Sequence, residues 1–144
     1  MTKDYFAYGT LMCEDIMLAV TGHRFSRTPG VLRDYRRRTV QGEAYPGIIP
    51  ERGRVVEGIV YRDVPDNAWA FLDAFEGEMY QRQIVGVNLV DSTFIEAYTY
   101  VVRPEFESRL DSSEWDFEKF LQSGKKIFET HYAGFKALKK GRRT

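Results

Sequence analysis

The chain has 144 residues, of which 43% are hydrophobic and 29% are charged, a balance typical of a folded globular domain. Lysine plus arginine and aspartate plus glutamate number 21 each, which excludes the strong positive charge of dedicated nucleic-acid or membrane-surface proteins. One cysteine and two histidines exclude a disulfide framework and argue against a Cys/His zinc site.

The length predicts a single domain over residues 1–144. The N-terminus lacks the features of a signal peptide, and no apolar run approaches the roughly 20 residues that span a bilayer. We therefore expect a soluble, cytoplasmic protein with a small-molecule partner and without nucleic-acid or membrane partners. The sequence favours a monomer, with a weak homodimer as the alternative.

The predicted elements begin with an aromatic strand over residues 4–8 and a short helix over residues 12–20, for which Thr10 is the expected cap. Residues 31–40 alternate with a period of two, which predicts a second strand. This strand contains the run Arg36-Arg37-Arg38. Consecutive side chains on a strand point to opposite faces, so we interpret the run as solvated strand surface rather than an RNA-binding patch.

The middle of the chain begins with YPGIIPERG, residues 45–53, whose two prolines and two glycines predict a bent connection. Residues 54–64 resume strand character, and Gly58 at the centre indicates a bulge or the close approach of another group. The stretch PDNAWAFLDAFEG predicts a short helix with Asp66 as its cap and Gly77 just beyond its end.

Residues 80–90 and 94–102 are rich in β-forming residues and flank the turn DST, which predicts a hairpin. From Ser113 to about residue 140 the apolar period changes to about 3.6, which predicts a long amphipathic helix. Together these elements predict an α+β fold: a small curved sheet of about six strands, mixed or antiparallel and either open or closed into a barrel, with flanking helices. The apolar stripe of the last helix comprises Phe117, Phe120, Leu121, Phe128, Tyr132, Phe135 and Leu138.

The sequence offers few groups for covalent, metal or nucleotide chemistry. Cys13 is a nucleophile only if a base lies beside it, and the two histidines, His23 and His131, stand in no recognisable motif. The acidic residues lack the spacing of a metal loop. The segment AYGTLM lacks the glycines and lysine of a nucleotide-binding loop. We therefore expect no metal and no cofactor.

Glu76 is the one acidic residue that local stability does not explain. It occupies the last turn of the predicted helix, where the negative end of the macrodipole disfavours a carboxylate. If aromatic neighbours bury it, its pKa moves into the range useful for general acid and base catalysis. The alternative is an exposed glutamate at a frayed helix end, and position alone favours this alternative.

Five stretches, in this order, resemble the gamma-glutamylcyclotransferase-like superfamily, and most closely its AIG2-like and gamma-glutamylamine cyclotransferase branch: YFAYGTLM, YPGIIP, GIVY, LDAFEGEMYQR and EAYTYV. The resemblance covers residues 5–102, so the C-terminal helix lies outside it. It implies a small mixed barrel with flanking helices, no metal, no cofactor, and a cavity beside the Tyr-Gly-Thr-Leu corner.

The resemblance also implies roles for individual residues. Glu76 matches the catalytic acid and base of the family. The matched substrate-binding residues are Tyr8, Gly9, Thr10 and Leu11 for the glutamyl group, Tyr100 on a strand lining the cavity, and Tyr80 and Arg82 in the YxR element after the glutamate.

The implied reaction is the cyclisation of a γ-glutamyl amine or γ-glutamyl amino acid to 5-oxoproline, with release of the free amine. The substrate's own α-amine is the nucleophile, which agrees with the scarcity of protein nucleophiles. Removal of a γ-glutamyl protecting group within a biosynthetic sequence would use the same chemistry. The alternative from another class is a non-catalytic member that binds a small molecule and acts in regulation.

Overall fold

A computed structural model describes residues 2–132 of the chain. The strands are β1 (Thr2–Ala7), β2 (Arg27–Val40), β3 (Pro46–Pro65), β4 (Tyr80–Leu89), β5 (Phe94–Val102) and β6 (Leu110–Glu114). The helices are α1 (Glu14–Thr21), α2 (Asp66–Glu76), α3 (Phe117–Lys119) and α4 (Lys125–His131). Two 3₁₀ turns (Thr10–Met12 and Pro104–Arg109) and one π-helical turn (Phe120–Gly124) complete the elements of this part of the chain.

Five of the strands pair around a closed ring. β1 pairs antiparallel with β3 and parallel with β5, β5 pairs with β4, β4 with β2, and β2 returns to β3. β6 continues the sheet beside the end of β2. The mixed α+β architecture predicted from the sequence is therefore confirmed.

Alternation along the strands divides the buried side chains into two clusters. Phe6 and Val60 belong to the cluster that all five ring strands share, and their neighbours Tyr5 and Tyr61 belong to the cluster that also contains helical residues. Successive strand residues point to opposite faces. The first cluster therefore fills the barrel, and the second joins the outer surface of the barrel to the helices.

One predicted connection is wrong, because residues 46–53 belong to β3 rather than to a bend. The pairing with β2 continues from Arg33↔Val55 to Tyr35↔Pro50 across an irregularity. At this irregularity Asp34 has a positive φ, and its side chain accepts a hydrogen bond from the Gly53 amide at 2.9 Å. A proline, which has no N–H to donate, is tolerated where the ladder is interrupted.

The predicted capping residues are also wrong, although both helices exist. Cys13 precedes α1 and Pro65 precedes α2, and neither helix start has a side-chain cap. Thr10 instead begins the 3₁₀ turn, and Asp66 is the first residue of α2. The two predicted strands of the hairpin are confirmed as β4 and β5.

The C-terminal helix begins at Phe117, four residues later than predicted, because residues 110–114 pair with β2 as β6. The Lys125 amide donates to the Phe120 carbonyl in the π-helical turn, and this wider turn rotates the face that follows it. Leu121 is consequently 42% exposed, whereas Phe120 and Phe128 are buried. The predicted positions 133–140, with Phe135 and Leu138, lie outside the described residues.

None of the helices in residues 2–132 combines the length and the apolar character needed to cross a membrane. This finding concerns only the part of the chain that the structure describes.

Gly58 allows β1 and β3 to approach closely. A β-carbon at this position would lie 2.4 Å from the Ala7 carbonyl oxygen and 2.8 Å from the Phe6 ring. We expect Gly58→Ala to destabilise the fold by about 1–3 kcal/mol, the usual cost of overpacking a core. Val55→Ala, on the same strand at a side chain 56% exposed, is the control and should change stability by less than about 0.5 kcal/mol. Equal urea midpoints for the two variants would contradict this account.

Candidate active site

A small cavity lies where the end of β1 meets the C-terminal end of α2. Its walls come from the turn Tyr8–Leu11, from Glu76, from Tyr80 at the start of β4, and from Phe128 and Tyr132 of the C-terminal segment. The cavity measures about 20 Å³, which is about the space that one water molecule needs. With Tyr45 and Pro46, which also line the cavity, five separate parts of the chain converge on this one site.

Glu76 is the acidic residue of this cavity. It ends α2 and is partly buried, and its carboxylate makes no hydrogen bond or ion pair with any of residues 2–132. Burial, and secondarily the negative charge of Asp73 one helical turn earlier, raise the pKa of Glu76 from 4.5 to about 8. A carboxyl group in this state can give or take a proton near neutral pH.

The turn at residues 8–11 lines the same cavity as Glu76. Gly9 is required there because a β-carbon would lie 2.9 Å from Cγ of Pro46. The carbonyls of Gly9 and Thr10 accept hydrogen bonds from Met12 and Cys13, but the N–H groups of Gly9, Thr10 and Leu11 have no partner among the described residues. We call these three N–H groups the turn amides. Since buried amides are nearly always paired, three free ones in succession indicate a site for a carboxylate or an oxyanion.

Buried tyrosines form the frame of the cavity. The Tyr8 hydroxyl donates to the Tyr100 carbonyl at 2.7 Å, and the Tyr80 hydroxyl donates to the Pro46 carbonyl at 2.8 Å. Burial raises the pKa of both Tyr8 and Tyr80 well above the usual tyrosine value. These phenols therefore stay protonated and hold the backbone, which leaves proton transfer to Glu76.

Two of the residues that the resemblance assigns to substrate binding lie beside the cavity rather than in it. The side chains of Arg82 and Tyr100 border a neighbouring surface groove together with Asp73. The Tyr100 hydroxyl donates to Asp73 Oδ1 at 2.7 Å, and Arg82 Nε lies 3.5 Å from the same oxygen. Arg82 and Tyr100 therefore both contact Asp73, whose carboxylate raises the pKa of Glu76.

The resemblance did not identify Tyr132, Phe128 or Asp73. The Tyr132 hydroxyl donates to the carbonyls of Phe75 and Glu76 at 2.8 and 3.2 Å, where a helix end leaves carbonyls without intrahelical partners. Asp73 precedes Glu76 by three residues on a helix, a spacing that brings side chains together, so the sequence contained this signal. No local pattern connects Tyr132 with a helix end 56 residues away.

The groups considered for nucleophilic catalysis lie elsewhere. Cys13 is buried outside the cavity, and burial raises the pKa of its thiol to about 11, so little thiolate exists near neutral pH. His23 and His131 are exposed. Within residues 2–132 no group of three His, Cys, Asp or Glu side chains is arranged to hold a metal ion.

The raised pKa of Glu76 makes stability depend on pH. Between pH 4.5 and about 8 the folded chain keeps this proton and the unfolded chain does not, so the free energy of unfolding falls as pH rises. Glu76→Gln removes the titrating group, and relative to wild type we expect it to gain about 1–3 kcal/mol between pH 5 and pH 9, allowing for the partial exposure of the residue. Urea denaturation at the two pH values measures this gain. The same pH dependence in wild type and Glu76→Gln would contradict the assignment.

Comparisons with known proteins identify the family and the fold. A family model described as gamma-glutamyl cyclotransferase, AIG2-like, matches residues 5–117. AIG2-like protein C of Arabidopsis thaliana is 32% identical over 128 residues, which cover 88% of this chain and 74% of that protein. The solution structure of an Arabidopsis thaliana protein gives a TM-score of 0.71 at 27% identity, covering 90% of this chain and 84% of that one. A structure named gamma-glutamyl cyclotransferase gives a TM-score of 0.67 at 19% identity, over 96% of this chain and 87% of that one, and supports the fold alone. The chain therefore belongs to the AIG2-like gamma-glutamyl cyclotransferase family.

Proposed function

We propose that this protein is a γ-glutamyl cyclotransferase that converts a γ-glutamyl amine or γ-glutamyl amino acid to 5-oxoproline and the free amine. The observation that carries the proposal is that one cavity brings together two unsatisfied groups: Glu76, whose pKa is raised to about 8 and which has no partner among residues 2–132, and the turn amides. Family membership supports the same reaction class. The chemistry needs no cofactor, because the nucleophile belongs to the substrate.

The first task of the site is to hold the substrate folded, so that its α-amine lies against its γ-carbonyl carbon. Positioning of this kind contributes roughly 7–11 kcal/mol in well-oriented intramolecular reactions. The turn amides offer three donors from one short turn, which suits either the α-carboxylate or the γ-carbonyl oxygen as it becomes an oxyanion. The Tyr8 side chain fixes the start of this turn to β5 through its hydrogen bond to the Tyr100 carbonyl.

The second task is to move two protons from the α-nitrogen to the departing nitrogen. The α-ammonium group gives the first proton to the Glu76 carboxylate, and the freed amine attacks the γ-carbonyl carbon to form the five-membered ring. Glu76 passes this proton to the departing nitrogen as the carbon–nitrogen bond breaks, then takes the second proton from the ring nitrogen and gives it to the free amine, which leaves as an ammonium ion. No water is consumed and no proton is gained or lost overall, so one carboxyl group with a pKa near 8 serves both transfers.

Entry of a substrate requires part of the wall to move. A cavity of about 20 Å³ does not hold a glutamyl group. An open groove bordered by Phe106 and Arg109 adjoins it and shares Tyr45, Glu76 and Tyr132 as lining residues. We propose that Tyr132, which the barrel does not hold by strand pairing, moves to connect the cavity with this groove.

The non-catalytic alternative uses the same cavity to bind a small carboxylate. The small volume of the cavity, about 20 Å³, is the observation that favours it over a reaction that needs room for a folded γ-glutamyl group. The unpaired Glu76 favours the enzyme, since a site that only binds a carboxylate gains nothing from placing a second negative group opposite it.

Release of 5-oxoproline tests the proposal directly. We expect wild type to release it from at least one member of a panel of γ-glutamyl amines, γ-glutamyl dipeptides and glutathione. Glu76→Gln should lower the rate about 10²- to 10⁴-fold, the usual contribution of a positioned acid or base. Glu78→Gln, two residues away and exposed, is the matched control and should retain activity. No release from any compound, or equal release by Glu76→Gln, would refute the proposed mechanism.

The pH dependence of kcat/KM reports the pKa of Glu76 in the free enzyme. Since the unprotonated carboxylate accepts the first proton, we expect the rate to rise up to about pH 8. Asp73→Asn keeps an oxygen for the Tyr100 hydroxyl but removes the charge, so the rise should move to lower pH. High salt should reduce the difference between the two enzymes, because Asp73 is exposed.

Asp66→Asn is the control for this shift. Asp66 begins the helix that Glu76 ends, about 15 Å away along the axis, so its charge is screened at physiological salt. An identical profile for Asp73→Asn and wild type, or an equal shift for Asp66→Asn, would show that Asp73 does not act on Glu76.

A further inference from the structure

The arginine run on β2 is not the solvated surface that the sequence suggested. Arg36, Arg37 and Arg38 are all partly buried. Arg37 Nη1 donates to the Tyr8 carbonyl at 2.7 Å and to the Glu57 carbonyl at 3.1 Å, and its guanidinium lies 5.3 Å from the centre of the Trp115 ring. Its Nε is buried without a hydrogen-bond partner among the described residues. Because Arg37 is partly buried and donates to two backbone carbonyls, we look for its role in the structure of the site rather than in solubility.

The guanidinium lies where β1 leaves the barrel. The ladder between β1 and β3 ends at the pair Ala7↔Ile59, and the next residues along the two strands include Tyr8 and Glu57. Nη1 donates to both of their carbonyls. Arg37 therefore occupies the point where strand pairing would continue, and the turn that follows keeps its amides free.

We infer that Arg37 is a positioning residue of the γ-glutamyl site, which sets the orientation of the Tyr8–Gly9 peptide. The described residues contain no cis peptide bond, and in a trans peptide the C=O and N–H groups point in opposite directions. Arg37 holds the Tyr8 oxygen outside the cavity wall, and Gly9 lines the cavity. The same contact thus turns the Gly9 N–H toward the substrate. This inference rests on the proposed function.

Two physical effects give this contact its importance. A glycine offers little resistance to rotation of its peptide plane, and at the other end of the turn the Tyr61 hydroxyl already holds the Leu11 carbonyl at 2.6 Å. Arg37 is the corresponding anchor at the Tyr8 end. A charged donor on the Tyr8 oxygen also polarises the peptide, which strengthens the Gly9 N–H as a donor to a developing oxyanion.

Three variants test the inference. Arg37→Met keeps an unbranched stem beside Trp115 but removes the donors, and Arg37→Lys keeps the charge and a donor. Arg38→Met is the matched control, since Arg38 Nε also donates to a backbone carbonyl, that of Asp111 at 2.7 Å, away from the turn. The measurements are kcat and KM for the best γ-glutamyl substrate, the pH profile, and the ¹H–¹⁵N resonances of the turn amides without substrate.

For Arg37→Met we expect kcat to fall about 10- to 100-fold, below the full loss of an oxyanion donor, with KM changed less than about threefold and an unchanged pH profile. The Gly9 amide resonance should move. Arg37→Lys should recover part of the rate, and Arg38→Met should match wild type in every measurement. If Arg37→Met only destabilised the fold, we would not expect kcat to fall while KM stays nearly constant. We would also not expect the Gly9 amide resonance to move selectively.

Wild-type kcat in folded Arg37→Met, or an unmoved Gly9 resonance, would overturn the inference. If Arg37→Met does not fold, Arg37→Lys carries the test, with a smaller fall in kcat and a moved Gly9 resonance expected, and their absence overturns it. If wild type releases no 5-oxoproline, the proposed function fails, and the Gly9 resonance still decides whether Arg37 orients the peptide.

Discussion

The burial of one carboxyl group without a partner is the constraint on which the site depends. Most buried carboxylates in proteins are paired, because removing a charge from water is costly. Glu76 has neither a cation nor a hydrogen-bond donor among residues 2–132, and it stands at the negative end of α2. These surroundings therefore favour the protonated form of Glu76. The unfavourable burial of its charge occurs at the position where the proposed reaction requires a proton transfer.

The turn that lines the same cavity has the complementary deficiency. Its three successive N–H groups have no acceptor among residues 2–132, and Glu76 has no donor among the same residues. They do not satisfy each other, since no hydrogen bond joins Glu76 to the turn amides. A folded γ-glutamyl substrate brings both missing partners, an ammonium group for Glu76 and an oxygen for the turn amides. The substrate is recognised in this account because it supplies the hydrogen-bond partners that Glu76 and the turn amides lack in the free protein.

The sequence predicted what depends on neighbouring residues. Glu76 could be placed at a helix end because Gly77 marks that end, and the hairpin of β4 and β5 followed from the DST turn. The proximity of Asp73 to Glu76 could also have been predicted, because the two residues are three positions apart on one helix. The strand character of residues 46–53 could not be predicted, because Pro50 is tolerated beside an irregularity at Asp34 that involves β2, and Pro46 is tolerated as the first residue of the strand.

Long-range contacts account for the rest of what sequence reasoning missed. Tyr132 reaches α2 across 56 residues, and Arg37 reaches Tyr8 across 29 residues, and neither pair has a signature in a local window. The arginine run was interpreted by alternation alone, which is a valid rule for a strand with one solvated face. It fails here because β6 and Trp115 cover the end of β2.

The central claim is that Glu76 is a carboxyl group whose proton affinity is raised by the fold. The most direct test is a ¹³C NMR titration of its side-chain carboxyl carbon in the free protein, with Glu76→Gln used to assign the resonance. The account predicts a midpoint near pH 8, where burial and Asp73 place the pKa of Glu76. A midpoint near 4.5, the ordinary value for glutamate, would show that the carboxylate is solvated and would contradict the account.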